Sequence, residues 1–119
     1  MFNHIELGKK GEAIAREFLQ RNGYEFKAIN YRFQHLEIDL IFETADTLVF
    51  VEVKARNTTA YGEPYEAVTV RKQKQLIKAA NRYIIQEDNH KDVRFDVISI
   101  VFKPDGTYDL EHIIDAFTP

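Results

Sequence analysis

Two stretches of this chain, "EIDLIF" (37–42) and "LVFVEVKAR" (48–56), carry charged residues at a spacing suited to phosphate chemistry. Asp39 and Glu52 are the two carboxylates of interest. Lys54 lies two residues beyond Glu52, and Glu37 two residues before Asp39. Side chains alternate along an extended chain, so Val49, Val51 and Val53 share one face while Leu48, Phe50, Glu52 and Lys54 share the other. The two stretches are separated by Thr44, Ala45, Asp46 and Thr47. A two- or four-residue loop centred on Ala45 and Asp46 sets an antiparallel register in which paired residue numbers sum to 91. Asp39 then faces Glu52, and Glu37 faces Lys54. An even loop also buries Ile38, Leu40, Phe42, Val49, Val51 and Val53 together; an odd loop would put the two acids on opposite faces.

Carboxylates directly opposite one another lie about 4.5–5.5 Å apart at Cβ, and as an ionised, empty pair they destabilise a sheet. A raised pKa on one acid, a neighbouring cation or a bound divalent metal each relieves the repulsion. Mg²⁺ and Mn²⁺ accept one or two carboxylates together with retained water. Lys54 sits about 6.6 Å along the strand from Glu52. From the edge of such a site it could orient a water or offset charge on a phosphate. A plain structural account competes with this: a Glu-x-Lys on a strand is commonly a solvated edge, and Glu37 with Lys54 an ordinary cross-strand pair.

The elements that must position these residues follow from periodicity. Residues 8–22 read as a helix with Ile14, Ala15, Phe18 and Leu19 on its apolar stripe and Gly23 as its stop. Strands are expected at 24–33 (irregular near Asn30), 36–43 and 47–56, followed by a loop at 57–67. Thr69 is a candidate N-cap for a helix over roughly 70–88, with Leu76, Ile77, Ala80, Tyr83 and Ile84 inward. A strand at 93–102, a turn at 104–106 and a last strand at 107–117 complete the chain. The order α-β-β-β-α-β-β describes one α/β domain, residues 1–119, with a mixed central sheet flanked by two main helices.

Composition agrees with an ordinary globular domain: 119 residues, 45% hydrophobic and 29% charged. No apolar run reaches the ~20 residues of a membrane span, and the N-terminus lacks the apolar stretch of a signal peptide. With no cysteine, disulfides and thiolate sites are excluded, in keeping with a cytoplasmic expectation. His4, His35, His90 and His112 are scattered without ligand spacing, which argues against zinc. A net charge of −3 argues against a protein that simply coats nucleic acid, yet Arg71, Lys72, Lys74, Lys78 and Arg82 form a local basic run. Such a run is either a solvated face or a surface for a nucleic-acid backbone. Arg32 and Arg56 flank the hairpin under the same two readings.

The Asp…Glu-x-Lys arrangement of "EIDLIF" and "LVFVEVKAR" resembles the core of the restriction-endonuclease-like, or PD-(D/E)XK, nucleases. More closely, "GKKGEAIAREFLQRNGY…NYR…EIDLI…LVFVEVKAR" with "RFDVI" resembles the YraN-like family of small bacterial proteins, over roughly Gly8 to Phe117. That family is similar in turn to archaeal Holliday-junction resolvases. The resemblance implies a restriction-endonuclease-like fold and a metal held by Asp39, Glu52 and the backbone carbonyl of Val53, with Lys54 as the catalytic lysine. It implies Glu12 as an additional acid near the metal, against the alternative of an exposed Glu12–Arg16 ion pair one helical turn apart. Gly8, Gly11 and Ala15 around it suggest a small-residue face close to the sheet. It implies supporting places for Glu37 and Gln73 and a phosphate contact for Lys72; from their charge and position Arg71, Lys74, Lys78 and Arg56 are expected to contact nucleic acid beside it. Two departures stand out: His35 and Leu36 replace the glycines common before the Glu-x-Asp motif, and Ile38 stands where the superfamily has proline. The implied activity is Mg²⁺- or Mn²⁺-dependent phosphodiester hydrolysis on DNA of branched or single-stranded structure, with a homodimer as a further expectation. The rivals are an accessory nucleic-acid-binding protein of the same fold without turnover, and an interaction domain with a relic acidic pocket.

Overall fold

A computed structural model describes residues 2–58 and 62–119. Helix α1 (His4–Arg21) is followed by strands β1 (Glu25–Phe33), β2 (Leu36–Glu43) and β3 (Thr47–Arg56), then helix α2 (Val70–Gln86) and strands β4 (Asp92–Phe102) and β5 (Tyr108–Phe117). The five strands form one mixed sheet in sequence order. The β3–β4 pair, bridged by the α2 crossover, is parallel and the other pairs are antiparallel. A 3₁₀ turn, Pro64–Ala67, lies within the stretch expected as loop, of which Thr59, Ala60 and Tyr61 fall outside the described residues.

Helix α1 starts four residues earlier than its apolar stripe suggests. Asn3 caps the Glu6 N–H while the Glu6 carboxylate returns to the Asn3 N–H, a reciprocal capping box. Ala15 and Leu19 are fully buried, and Gly11 is buried with them. A Cβ added at Gly11 would lie 3.0 Å from Ala55 Cβ and 3.4 Å from Val53 Cγ1. The absence of a side chain there is what lets α1 lie directly on β3. Gly8, by contrast, meets nothing, so the small-residue face is narrower than expected. Thr69 caps α2 as expected, accepting from the Lys72 N–H.

The core lies in two layers, one on each side of the sheet. On the α1 side are Leu40, Phe42, Val49, Val51, Ile98 and Ile100; on the α2 side are Leu36, Ile38, Ile41, Phe50, Leu76 and Phe95. Ile38 therefore does not join Leu40 and Phe42, contrary to simple alternation. Two neighbouring positions explain the exchange of faces. Asn30 of β1 adopts a left-handed φ of 50°, and Asp39, which would face it, drops out of the β1–β2 register. Beyond that point Tyr31, Phe33, Leu36 and Ile38 all turn toward the α2 layer.

Candidate metal and phosphate site

The β2–β3 hairpin has the expected register, with Leu40 opposite Val51 and Phe42 opposite Val49. Thr44 N–H donates to the Thr47 carbonyl at 2.8 Å, closing a two-residue loop. The regular ladder stops at Leu40 and Val51. Two residues further it would have joined Ile38 to Val53, but Asp39 Oδ2 instead accepts the Val53 N–H at 2.8 Å. A strand residue points its N–H and C=O toward the same neighbour, so the Val53 carbonyl also faces this opened edge.

A cleft of about 340 Å³ occupies the opening. Asp39, Glu52, Lys54, Glu12, Glu37 and Lys72 all line it, together with Val53. Three elements supply them: the β2–β3 hairpin, the first half of α1, and the first turn of α2. Glu52 is the anomalous member, only 4% exposed. Its Oε2 is buried and accepts no hydrogen bond from any described residue. Lys54 Nζ stands 3.8 Å from the other oxygen, Oε1. Burial pushes the Glu52 carboxyl well above the usual carboxylate range, and the Asp39 charge adds to this. A side-chain hydrogen bond with Asp39 raises it further, while Lys54 and Lys72 act in the opposite direction.

Glu12 belongs to the same electrostatic cluster. Burial raises its pKa, Asp39 and then Glu37 raise it further, and a hydrogen bond from the Asn30 side chain opposes them. The Glu12–Arg16 ion pair does not form among the described residues; the Arg16 guanidinium lies over the Phe26 ring, 3.6 Å from its centroid. Glu37 pairs with Arg32 at 3.1 Å, across β1 rather than with Lys54.

The donor set fits a hard divalent cation: a buried carboxylate oxygen with no hydrogen-bond donor, a second carboxylate beside it, and a backbone carbonyl at the same edge. Among the described residues no three His, Cys, Asp or Glu side chains are gathered closely enough to hold a metal by themselves. The ligand set the geometry offers is thus Asp39, Glu52 and the Val53 carbonyl, with Glu12 at its margin.

Other expected site residues lie elsewhere. Gln73 Nε2 donates to the Val68 carbonyl at 3.1 Å, closing the turn before α2 rather than supporting the carboxylates. Arg56, the last residue of β3, pairs with Val101 and is not among the residues that line the cleft. Arg71, Lys74 and Lys78 line a separate groove, between α2 and the start of β2. Two participants escaped the sequence analysis. His4 lines the cleft from the first turn of α1, a place its capping box "NHIE" could have revealed. Asn30 both turns β1 and reaches Glu12.

Fold and site together define a small mixed-sheet α/β protein with a carboxylate–lysine cleft at the end of its central hairpin. Residues 11–100 match the sequence profile described as "Uncharacterised protein family UPF0102". The chain belongs to this family, the YraN-like proteins. It is 44% identical to a UPF0102 protein of Christiangramia forsetii over 117 residues, covering 98% of each chain. A relative from Chlorobium chlorochromatii is 46% identical over 117 residues, covering 94% of this chain and 91% of its own. One from Bacteroides thetaiotaomicron is 38% identical over 119 residues, covering 100% of this chain and 98% of its own.

Proposed function

We propose that this protein is a metal-dependent nuclease of the restriction-endonuclease-like type, similar to Holliday-junction resolvases, acting on branched or single-stranded DNA. The observation that carries the reading is Glu52: a buried carboxylate facing Asp39, one oxygen without a donor and the other beside the Lys54 ammonium. Leaving two acids in this state costs stability unless the site has a use for a cation. Asp39, Glu52 and the Val53 carbonyl would hold Mg²⁺ or Mn²⁺. When bound, the ion supplies Lewis acidity toward a phosphoryl oxygen and lowers the pKa of a coordinated water.

The chain's own residues do the rest. Phosphodiester hydrolysis joins a water oxygen to phosphorus and breaks one P–O ester bond, and the leaving oxygen takes up a proton. Lys54 Nζ, at the mouth of the carboxylate pair, donates hydrogen bonds to the phosphate as its negative charge grows. Lys72, entering from the first turn of α2, holds the incoming phosphate against the acidic cleft. Glu12, with its raised pKa, retains a proton more readily than a free glutamate and can pass it at its carboxyl oxygen.

The test is release of labelled fragments from single-stranded, duplex and four-way-junction DNA with Mg²⁺ or Mn²⁺, comparing wild type with Lys54→Ala. Metal-dependent cleavage lost in Lys54→Ala supports the nuclease reading. The second reading, a non-catalytic accessory of the same fold, is favoured by the basic groove outside the cleft. It requires binding to DNA without cleavage on any of these substrates.

A further inference from the structure

Between the β1–β2 connection and the first half of α2 runs a second groove, of about 540 Å³. His35 of the β1–β2 turn and Leu36 at the start of β2 form one wall; Val70, Arg71, Lys74, Gln75 and Lys78 form the other. Among the described residues no acidic one lines it. None of Arg71, Lys74 and Lys78 forms an ion pair with a carboxylate among the described residues. Val70 is 64% exposed at this rim, an apolar residue that the fold leaves in water. The groove thus has apolar walls beneath a cationic edge.

We infer that this groove takes an unpaired base of a DNA strand whose phosphates lie on Arg71, Lys74 and Lys78, and that it feeds the strand to the cleft. The inference rests on the proposed nuclease reading for its direction and on the groove's chemistry for its occupant. Three residues at helical spacing put their cations on one face of α2, and a polyanionic backbone is the complement of such an edge. A duplex buries its base faces, so it could satisfy the cations but not the apolar walls; a single strand satisfies both, with His35 a ring against which a base can stack. Apolar walls at Leu36 and Val70 also favour a deoxyribose over a sugar whose 2′-hydroxyl would lose its water.

Groove and cleft are lined by neighbouring residues of the same two elements, β2 and α2. Leu36 of the groove precedes Glu37 of the cleft, and Arg71 precedes Lys72. Leu36 lies three residues from Asp39 along β2, about 10 Å at a strand's rise. That is roughly three stacked nucleotides. A strand held in the groove would present the phosphate to be cleaved a few nucleotides from the captured base.

The experiment measures fluorescence anisotropy of a labelled 15-residue oligothymidylate, an abasic strand of the same length, a 15-base-pair duplex and oligouridylate. All are titrated with full-length protein in EDTA, so that binding is read without any metal. Oligothymidylate is expected to bind roughly tenfold tighter than the abasic strand, the size of one stacked base. The double variant His35→Ala/Val70→Ser, both sites exposed, should erase that difference while keeping the thermal midpoint. Arg71→Ala/Lys74→Ala/Lys78→Ala should weaken both single strands and lower the salt slope by about 2, at roughly 0.7 per single-strand phosphate. Equal binding of abasic and base-bearing strands, or a double variant that binds like wild type, overturns the base site. Tighter binding of the duplex overturns it as well, and tighter binding of oligouridylate overturns the assignment to DNA. The same strands are also incubated with wild type and double variant in Mn²⁺: base-dependent binding without cleavage would sink the nuclease reading and leave the groove standing. Cleavage indifferent to the double variant would do the reverse.

Discussion

Replacing Asp39 by asparagine should make the metal-free protein more stable. At a separation of about 5 Å, expected for side chains facing across a hairpin, two full charges repel by roughly 3 kcal/mol at an effective dielectric constant of 20. The Lys54 ammonium, 3.8 Å from Glu52 Oε1, offsets part of this. The raised pKa of Glu52 offsets more, because a proton can relieve the pair. About 1–2 kcal/mol of strain should remain near neutral pH, or about 4–8 °C in Tm for a domain of this size. Asparagine retains an oxygen for the Val53 N–H, so the backbone tie that Asp39 provides is kept. The assay is thermal unfolding of wild type and Asp39→Asn in EDTA and in Mn²⁺. At an Mn²⁺ concentration 100 times Kd, binding adds about 2.7 kcal/mol to the wild type, roughly 11 °C, and far less to the variant. A variant less stable than wild type in EDTA would refute the stored repulsion, and equal Mn²⁺ stabilisation of both would refute the metal site.

Lys54→Ala should lower cleavage by about 10²–10³-fold, the size of one lost transition-state donor, while DNA affinity stays within a few-fold; equal loss in both would make Lys54 a binding residue only. Gly11→Val should cost about 1–3 kcal/mol by pushing α1 off Ala55 and Val53, as read by denaturant unfolding. The pH dependence should show two opposed limbs. Asp96, fully buried, has its pKa lowered against the cost of burial by His112, by Arg94 and by the Asp115 N–H. Its contribution is therefore present above the pKa of a free aspartate and is lost as pH falls through the lowered value, and Asp96→Asn should flatten this acid limb. Glu52 has the opposite sign: its raised pKa makes the metal-free fold lose stability as pH rises from the pKa of a free glutamate to the folded value. Glu52→Gln should remove that second slope in EDTA titrations.

Much of the central hairpin was legible because local rules decide it. The bounds of β2 and β3 follow from apolar alternation, and the even loop between them fixes which residues meet. What escaped depends on contacts remote in sequence or on single backbone angles. Alternation assigned Ile38 to the wrong layer because it assumes a regular strand, while the left-handed turn at Asn30 and the missing rung at Asp39 break that regularity. Gln73 looked like a site residue by its place in the motif, yet its amide is used by the Val68 carbonyl. The Arg94–Asp96–His112 cluster was invisible because it joins β4, β5 and Tyr24 across the sheet, and Arg94 and Tyr24 are 70 positions apart. Residue types showed that acids would meet; only the folded chain shows which oxygen is left without a partner.

The exchange of faces at Asn30 and Asp39 bears on whether this site can be moved. In a regular strand Asp39 would share a face with Ile41 and Glu43, and Ile38 would lie with Leu40. The broken alternation sends Leu36 and Ile38 into the α2 layer and leaves the Asp39 carboxylate free to reach the Val53 N–H. The two sequence stretches are thus not a portable cassette. Grafted onto an unbroken hairpin, "EIDLIF" and "LVFVEVK" would keep every charged residue and lose their arrangement. A transplant would have to carry the first strand as well, since the residue that bends the frame, Asn30, lies outside both stretches.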